Sequence, residues 1–157
     1  MLRWAMAAMF LAVAAVMAPG QAAATAELTV VGPAGERVYG MAELRGLGMS
    51  EITTSTPWTD GVETFTGVPL ARLLDDASLL GGTVRLIALN DYEGVMPAAE
   101  LEAQIPVVAY WRNGRPMSIR DKGPFWIVFP FDDGEQYNSE LVYSRSVWQL
   151  VRIVVEP

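Results

Sequence analysis

The chain has 157 residues, 18 acids against 11 lysines and arginines, a net charge of −7, and neither cysteine nor histidine. Those two absences exclude disulfides, thiolate and imidazole metal sites, haem or iron–sulfur centres held by such ligands, and hydrolases built on a Ser-His-Asp or Cys-His set. The acidic balance argues against nucleic acid and against charge-driven binding to anionic lipid, while the length is enough for one domain with a sizeable core.

The first expected element stands apart from the fold. Residues 1–26 carry one positive charge at Arg3, an apolar run over 5–17, a Pro19-Gly20 break and small residues up to Ala24-Thr25-Ala26. This is the layout of a secretory signal peptide cleaved after Ala24 or Ala26, and its apolar run is short against the roughly 20 residues of a membrane span. Cleavage removes Arg3 and no acid, taking the net charge from −7 to −8.

Residues 27–157 then read as one domain. A strand over 28–31 turns at Gly32-Pro33-Ala34-Gly35 and pairs with 37–39; a short helix over 41–47 stops at Gly48. Residues 50–54 are rich in β-branched side chains and read as a strand entering the loop TPWTDG. Residues 64–68 lead to Pro69, which opens a helix over 69–77 with Leu70, Leu73, Leu74 and Ala77 at helical spacing. Residues 83–89 read as a buried strand, Asn90-Asp91 as a turn, 92–96 as the returning strand and 97–102 as a second short helix.

A strand over 106–111 meets Asn113-Gly114, the strongest short hairpin signal, so 115–119 should pair back. A turn at 121–124, a dense apolar strand over 125–129, an acidic loop over 131–138 and a last strand over 148–155 complete the chain. In that last strand Leu150, Arg152, Val154 and Glu156 alternate with Val151, Ile153 and Val155. The class is α+β, a mixed, β-dominated single domain with short helices.

The chemistry gathers in four places: the loop 54–61, the turn 90–92, the turn 120–124 and the segment 143–148. Each adjoins an apolar strand and so lies at a sheet end, where a rigid scaffold positions loops. They offer Trp58, Trp148, Tyr92, Tyr143, Asp91, Arg120, Arg145, Lys122 and several hydroxyls. Aromatic faces stack a flat polar heterocycle, a carboxylate accepts two hydrogen bonds from an amidine-like edge, and Arg or Lys meets a carbonyl or anionic edge. The same residues also have plain structural readings: Trp58 and Trp148 as packing, Asn90-Asp91 as turn chemistry, Arg120 and Lys122 as solvated charges. The run Asp132-Asp133-Gly134-Glu135 lacks the spaced ligands of a calcium loop and reads as solvated.

The order of four stretches, PWTDGVETFTGVPLARLL, ALNDYEGVMP, RNGRPMSIRDKGPFWIVFP and VWQLVRIVV, resembles the molybdopterin-binding domain of the sulfite-oxidase family, over about residues 28–155. The resemblance implies a cysteine four residues before the loop tryptophan as the molybdenum ligand in catalytic members; counting back from Trp58 gives Thr54. A threonine hydroxyl is a poor substitute for a soft thiolate. The family's Asp-Gly-Tyr turn reads Asn90-Asp91-Tyr92 here.

In these departures the chain looks like a subgroup of small exported proteins that keep the fold without the cysteine. The resemblance implies a periplasmic protein that binds a reduced pterin such as tetrahydromonapterin, without molybdenum. It further implies action on the periplasmic region of a membrane-bound cyclic-di-GMP synthase/phosphodiesterase, with no direct membrane insertion after signal cleavage. On that expectation Trp58 and Tyr92 or Trp148 flank the ring, with Asn90 and Tyr143 close by. Asp91 faces the 2-amino and N3 edge; Arg120, Lys122 or Arg145 meets the carbonyl or the side-chain hydroxyls; Thr54 and Ser55 donate near the former metal position. The acidic loop 132–135 is the candidate partner surface. The alternatives are a molybdopterin-dependent oxidoreductase or its subunit, and a scaffold domain without a ligand.

Overall fold

A computed structural model describes residues 26–79 and 81–157, so the expected signal peptide lies outside the described residues except for Ala26. Among those residues no helix is long and apolar enough to cross a membrane. Two five-stranded sheets carry the fold.

The first sheet has the order β2-β1-β10-β5-β6, with β1 Glu27–Gly32, β2 Gly35–Gly40, β5 Thr83–Ala88, β6 Glu93–Pro97 and β10 Leu150–Glu156. The β1–β2 and β5–β6 hairpins form where the turn chemistry predicts, and β10 lies between them, parallel to β1 and antiparallel to β5. The β5 strand is not buried on both faces as expected. Val84, Leu86 and Ala88 point to the core, while Arg85 reaches outward to Glu93 at 2.7 Å and Glu156 at 3.0 Å. One face of this sheet is therefore wet, the ordinary state of an antiparallel arrangement.

The second sheet has the order β3-β4-β7-β8, with β3 Ser50–Ser55, β4 Val62–Pro69, β7 Val107–Arg112 and β8 Arg115–Pro116; β9 Trp126–Val128 pairs with β7. The far edge of β7 is divided: β9 takes residues 107–109 and β8 takes Trp111 and Arg112. The return strand expected over 115–119 is thus only two residues long. Pro116 has no N–H to continue the ladder, and Ile119–Asp121 wind into a 3₁₀ turn capped by Ser118. Gly67 sits at a bulge between β4 and β7, where a Cβ would lie 2.0 Å from the Val108 carbonyl oxygen, so only glycine allows the two backbones to approach.

Among the described residues three short α-helices fill the connections: α1 Met41–Gly46, α2 Leu70–Asp76 and α3 Glu140–Arg145. The α2 helix is one residue shorter at each end than expected: Pro69 ends β4 and stands as the helix N-cap, Ala77 is the C-cap, and Leu70, Leu73 and Leu74 bury its inner face. The helix expected over 97–102 contracts to one 3₁₀ turn, Ala98–Glu100. The α3 helix was not expected. Ser139 caps it, its hydroxyl accepting from the Val142 N–H at 3.4 Å, and Val142 is buried.

The two sheets meet at a corner. Trp126 bridges to Trp148, the Ile127 N–H donates to Val147 O, and the Leu150 N–H donates to Phe125 O, each at 2.9 Å for these two bonds. At Gln149 the backbone takes a φ of 51° and the chain passes into the first sheet as β10. A register shift between Leu150 and Arg152 then breaks the strict alternation read from the sequence, so that Leu150 is buried with Ile153 and Val155 while Arg152 is exposed. The buried side chains of both sheets form one core, in which Trp126, Tyr39, Tyr110, Phe65 and Phe125 are the largest wholly covered residues.

Candidate functional site

A cleft of about 340 Å³ opens at this corner, within the roughly 300–1,000 Å³ of small-molecule sites. Trp58, Asn90, Tyr92, Tyr143 and Trp148 line it together with Ala88, Glu140, Ser144 and Ser146. Three of the four segments singled out in the sequence therefore converge on it: the loop after β3, the β5–β6 turn, and α3 with the run into β10.

Each wall is held by local chemistry. In the loop after β3, the buried Thr56 hydroxyl accepts from the Trp58 N–H at 3.1 Å and pairs with the Thr59 hydroxyl at 2.8 Å, closing a turn that presents the indole. Trp58 then packs against Trp126, Phe131, Tyr143 and Trp148 with ring centroids 5.2–6.1 Å apart and tilted or edge-to-face geometry. In the β5–β6 turn, Asn90 accepts from the Tyr92 N–H at 3.2 Å, and the Tyr92 hydroxyl crosses to donate to Ser144 O at 3.0 Å. Gly94 lets α3 come this close: a Cβ there would lie 2.9 Å from Ser144 O and 2.8 Å from Val147 Cγ2. The Tyr143 hydroxyl donates to Asn138, and Ser146 Oγ donates to Val142 O at 2.8 Å.

Several polar groups on the lining have no hydrogen-bond partner among the described residues: the indole N–H groups of Trp58 and Trp148, the Asn90 amide N–H₂ and the Glu140 carboxylate. No lysine or arginine lines the cleft. Lys122 comes nearest in character, with Nζ 5.3 Å from the Trp148 ring centroid and 6.0 Å from that of Trp126, a cation–π position on the flank of the aromatic cluster.

The remaining expected residues lie elsewhere, for identifiable reasons. Asp91 takes a φ of 64° in the tight β5–β6 turn, is exposed and does not line the cleft. Arg120 is exposed on the 3₁₀ turn after β8. Arg145 is held on the other side of α3, donating to Glu100 Oε2 at 2.7 Å and Val95 O at 3.1 Å. Thr54 is wholly buried; its hydroxyl donates to Ser55 O and accepts from the Asp132 N–H, both at 3.1 Å. Ser55 donates through both its N–H and its hydroxyl to the Asp132 carboxylate, at 2.6 Å each. Neither hydroxyl has a hydrogen left for a ligand.

That geometry also tests the position for molybdenum. Thr54 is a protonated hard oxygen, enclosed and already bonded, and the sequence contains no cysteine. These residues do not fit a thiolate-held molybdenum centre. Nor does a cleft lacking lysine and arginine fit the phosphate of molybdopterin.

Asp132 corrects the reading of its acidic run as merely solvated: it ties the 3₁₀ turn Phe131–Asp133 to the end of β3, and so fixes Phe131 behind Trp58. The two bonds from Ser55, the backbone N–H first, hold this carboxyl below its ordinary range. A carboxyl so depressed stabilises the fold fully above about pH 4 and loses that contribution as pH falls through its folded value. Asp132→Asn is therefore expected to lower Tm at neutral pH, and to lose less Tm than the wild type between about pH 6 and pH 3. Parallel acid profiles for the two proteins would remove the latch from the account.

No family model matches this chain, and no curated protein matches it. Among solved structures it is similar to the sulfane dehydrogenase SoxCD from Paracoccus pantotrophus, with a TM-score of 0.62 at 16% sequence identity over 83% of this chain. The chain spans 38% of the length of that protein's chain. The mixed, β-dominated single domain is therefore of the sulfite-oxidase-like type expected from the order of the motifs.

Proposed function

We propose that this chain is a non-catalytic binding protein for a reduced, phosphate-free pterin, held in the cleft between the loop after β3, the β5–β6 turn and α3. The observation that carries this reading is the composition of the lining: four aromatic side chains, one carboxylate and no basic residue. A pterin is flat, polar along one edge and rich in donors there, which suits rings for its faces and a carboxylate for that edge. A phosphorylated ligand would meet no cation on the lining, which favours a tetrahydromonapterin-like compound over molybdopterin. Trp58, Trp148, Tyr92 and Tyr143 form the walls against the ring. Lys122 lies on the flank of Trp148, its Nζ over the indole and off the lining.

In this reading the protein is periplasmic, delivered by the signal peptide at 1–26, and passes ligand occupancy to a membrane-bound cyclic-di-GMP synthase/phosphodiesterase. The partner surface in this reading is the rim of the cleft, α3 and the β5–β6 turn, with the acidic loop 132–135. Asp132, Asp133 and Glu135 are all exposed, Asp132 with its carboxylate bonded to Ser55.

The test is an anaerobic titration of the purified chain with a tetrahydropterin, read by tryptophan fluorescence. Saturable quenching is expected, and Trp148→Ala should weaken binding at least about tenfold, the order of one lost stacking contact. Absence of quenching would favour a scaffold without a ligand. Stoichiometric molybdenum in protein taken from its native compartment would favour the oxidoreductase reading, which otherwise has only the fold likeness in its support.

A further inference from the structure

We infer that Glu140 is the specificity residue of the cleft, its carboxylate accepting paired hydrogen bonds from the 2-amino and N3–H edge of the bound ring. This rests on the pterin reading above and names the group that distinguishes a 2-amino ring from its 2-oxo analogue. Glu140 is the one acidic residue on the lining. It shares one face of α3 with Tyr143 and Ser144, at spacings of three and four residues, and all three line the cleft. The helix is seated by the Ser139 cap and by close contact with β6 at Gly94, so the carboxylate has a fixed base beside the Tyr143 ring.

Several other acids of the fold are engaged, and none of them lines the cleft. Glu100 holds Arg145, Glu93 holds Arg85, Glu102 accepts from the Tyr137 hydroxyl, and Asp132 accepts from Ser55. Glu140 has no hydrogen-bond or ion-pair partner among the described residues, and Arg145, five residues on, points away to Glu100. A carboxylate without a cation, at the mouth of an aromatic cleft, suits a ligand edge with two parallel N–H donors. Such charge-assisted pairs are stronger than neutral ones and geometrically selective. A 2-oxo ring turns one of those donors into an oxygen that faces the carboxylate, so discrimination comes from repulsion as well as from the lost bond.

The probes are 6,7-dimethyltetrahydropterin and its 2-oxo counterpart, 6,7-dimethyltetrahydrolumazine, titrated anaerobically against the full chain. The wild type is expected to bind the 2-amino compound about tenfold or more tightly than the 2-oxo compound. Glu140→Gln should weaken the 2-amino compound, strengthen the 2-oxo compound by relieving the repulsion, and so bring the ratio towards one. Asp91→Asn should leave the ratio as it is. Glu140 is exposed, so unchanged Tm in E140Q separates a lost contact from a lost fold. If both compounds bind the wild type equally, or E140Q keeps the full ratio, Glu140 is not the edge reader and the heterocycle site stands. If neither compound binds the wild type, the pterin reading and this inference fall together.

Discussion

Trp126→Ala is expected to cost about 3–5 kcal/mol of stability, a large part of the roughly 5–15 kcal/mol of a typical domain. Trp126 is wholly buried and sits under both tryptophans of the cleft, with centroids 6.1 Å from Trp58 and 6.3 Å from Trp148, and 5.2 Å from Phe65. Its indole N–H donates to the Ser146 carbonyl at 3.2 Å, at the point where the chain turns from α3 towards β10. Alanine removes the ring that backs both wall tryptophans, together with that bond. Phenylalanine is the milder change: it keeps a ring but leaves the buried Ser146 carbonyl without its donor, a cost of about 1–3 kcal/mol. Urea unfolding should show both as a lower midpoint at unchanged m-value, and W126F should also bind a tetrahydropterin more weakly than the wild type. A midpoint for W126A within experimental error of the wild type would contradict the packing described.

The second large effect lies on the far side of the molecule. Tyr39 is wholly buried and its hydroxyl donates to Asp76 Oδ2 at 2.9 Å; Arg37 stacks over the same ring at 4.5 Å and pairs with Asp76 at 2.7 Å. Burial first, then the bond to Asp76, push the phenol from 10.0 up to about 12, with Arg37 opposing. The folded state keeps its proton longer than the unfolded chain does. The resulting stability is therefore complete below about pH 10 and is lost as pH rises through about 12. Tyr39→Phe has no proton to lose there. Its stability should fall less than that of the wild type over the same alkaline interval, and identical losses would mean that Tyr39 does not titrate as its surroundings require.

Much of the fold was legible because short-range chemistry and long-range packing agree in most elements. Turn residues fixed both outer hairpins, Pro69 stood before α2, alternation marked β1 and β10, and apolar or β-branched runs marked strands such as β3, β5 and β9. The departures have local causes. Pro116 cut short the return of β7, and a shift next to Leu150 put that residue on the core side with Ile153 and Val155, out of the alternation expected of it. The α3 helix is only six residues long and carries chemistry-bearing side chains, so it read as a loop although Ser139 stood in front of it as a cap.

Of the candidate site, the aromatic residues were legible, since large rings beside strand ends tend to meet. The polar partners were not. Glu140 falls on the lining only because α3 forms, and Asp91 leaves it because a tight turn needs positive φ at that position. The Asp132 latch joins residues 77 apart in sequence, and nothing local announces it.

The position of β10 has a consequence for how the chain comes to be folded. The β1–β2 and β5–β6 hairpins share a sheet only through β10, which pairs with both. A nascent chain that has not yet released residues 150–156 holds two separate ribbons instead of a sheet, and Trp148, just upstream, has no anchored place against Trp58. Pairing between the two ends of a domain is slow to form. The sheet and the cleft are thus completed in the same late event, so a bound ligand would be a mark of a finished molecule, and an interrupted one would have no cleft to fill.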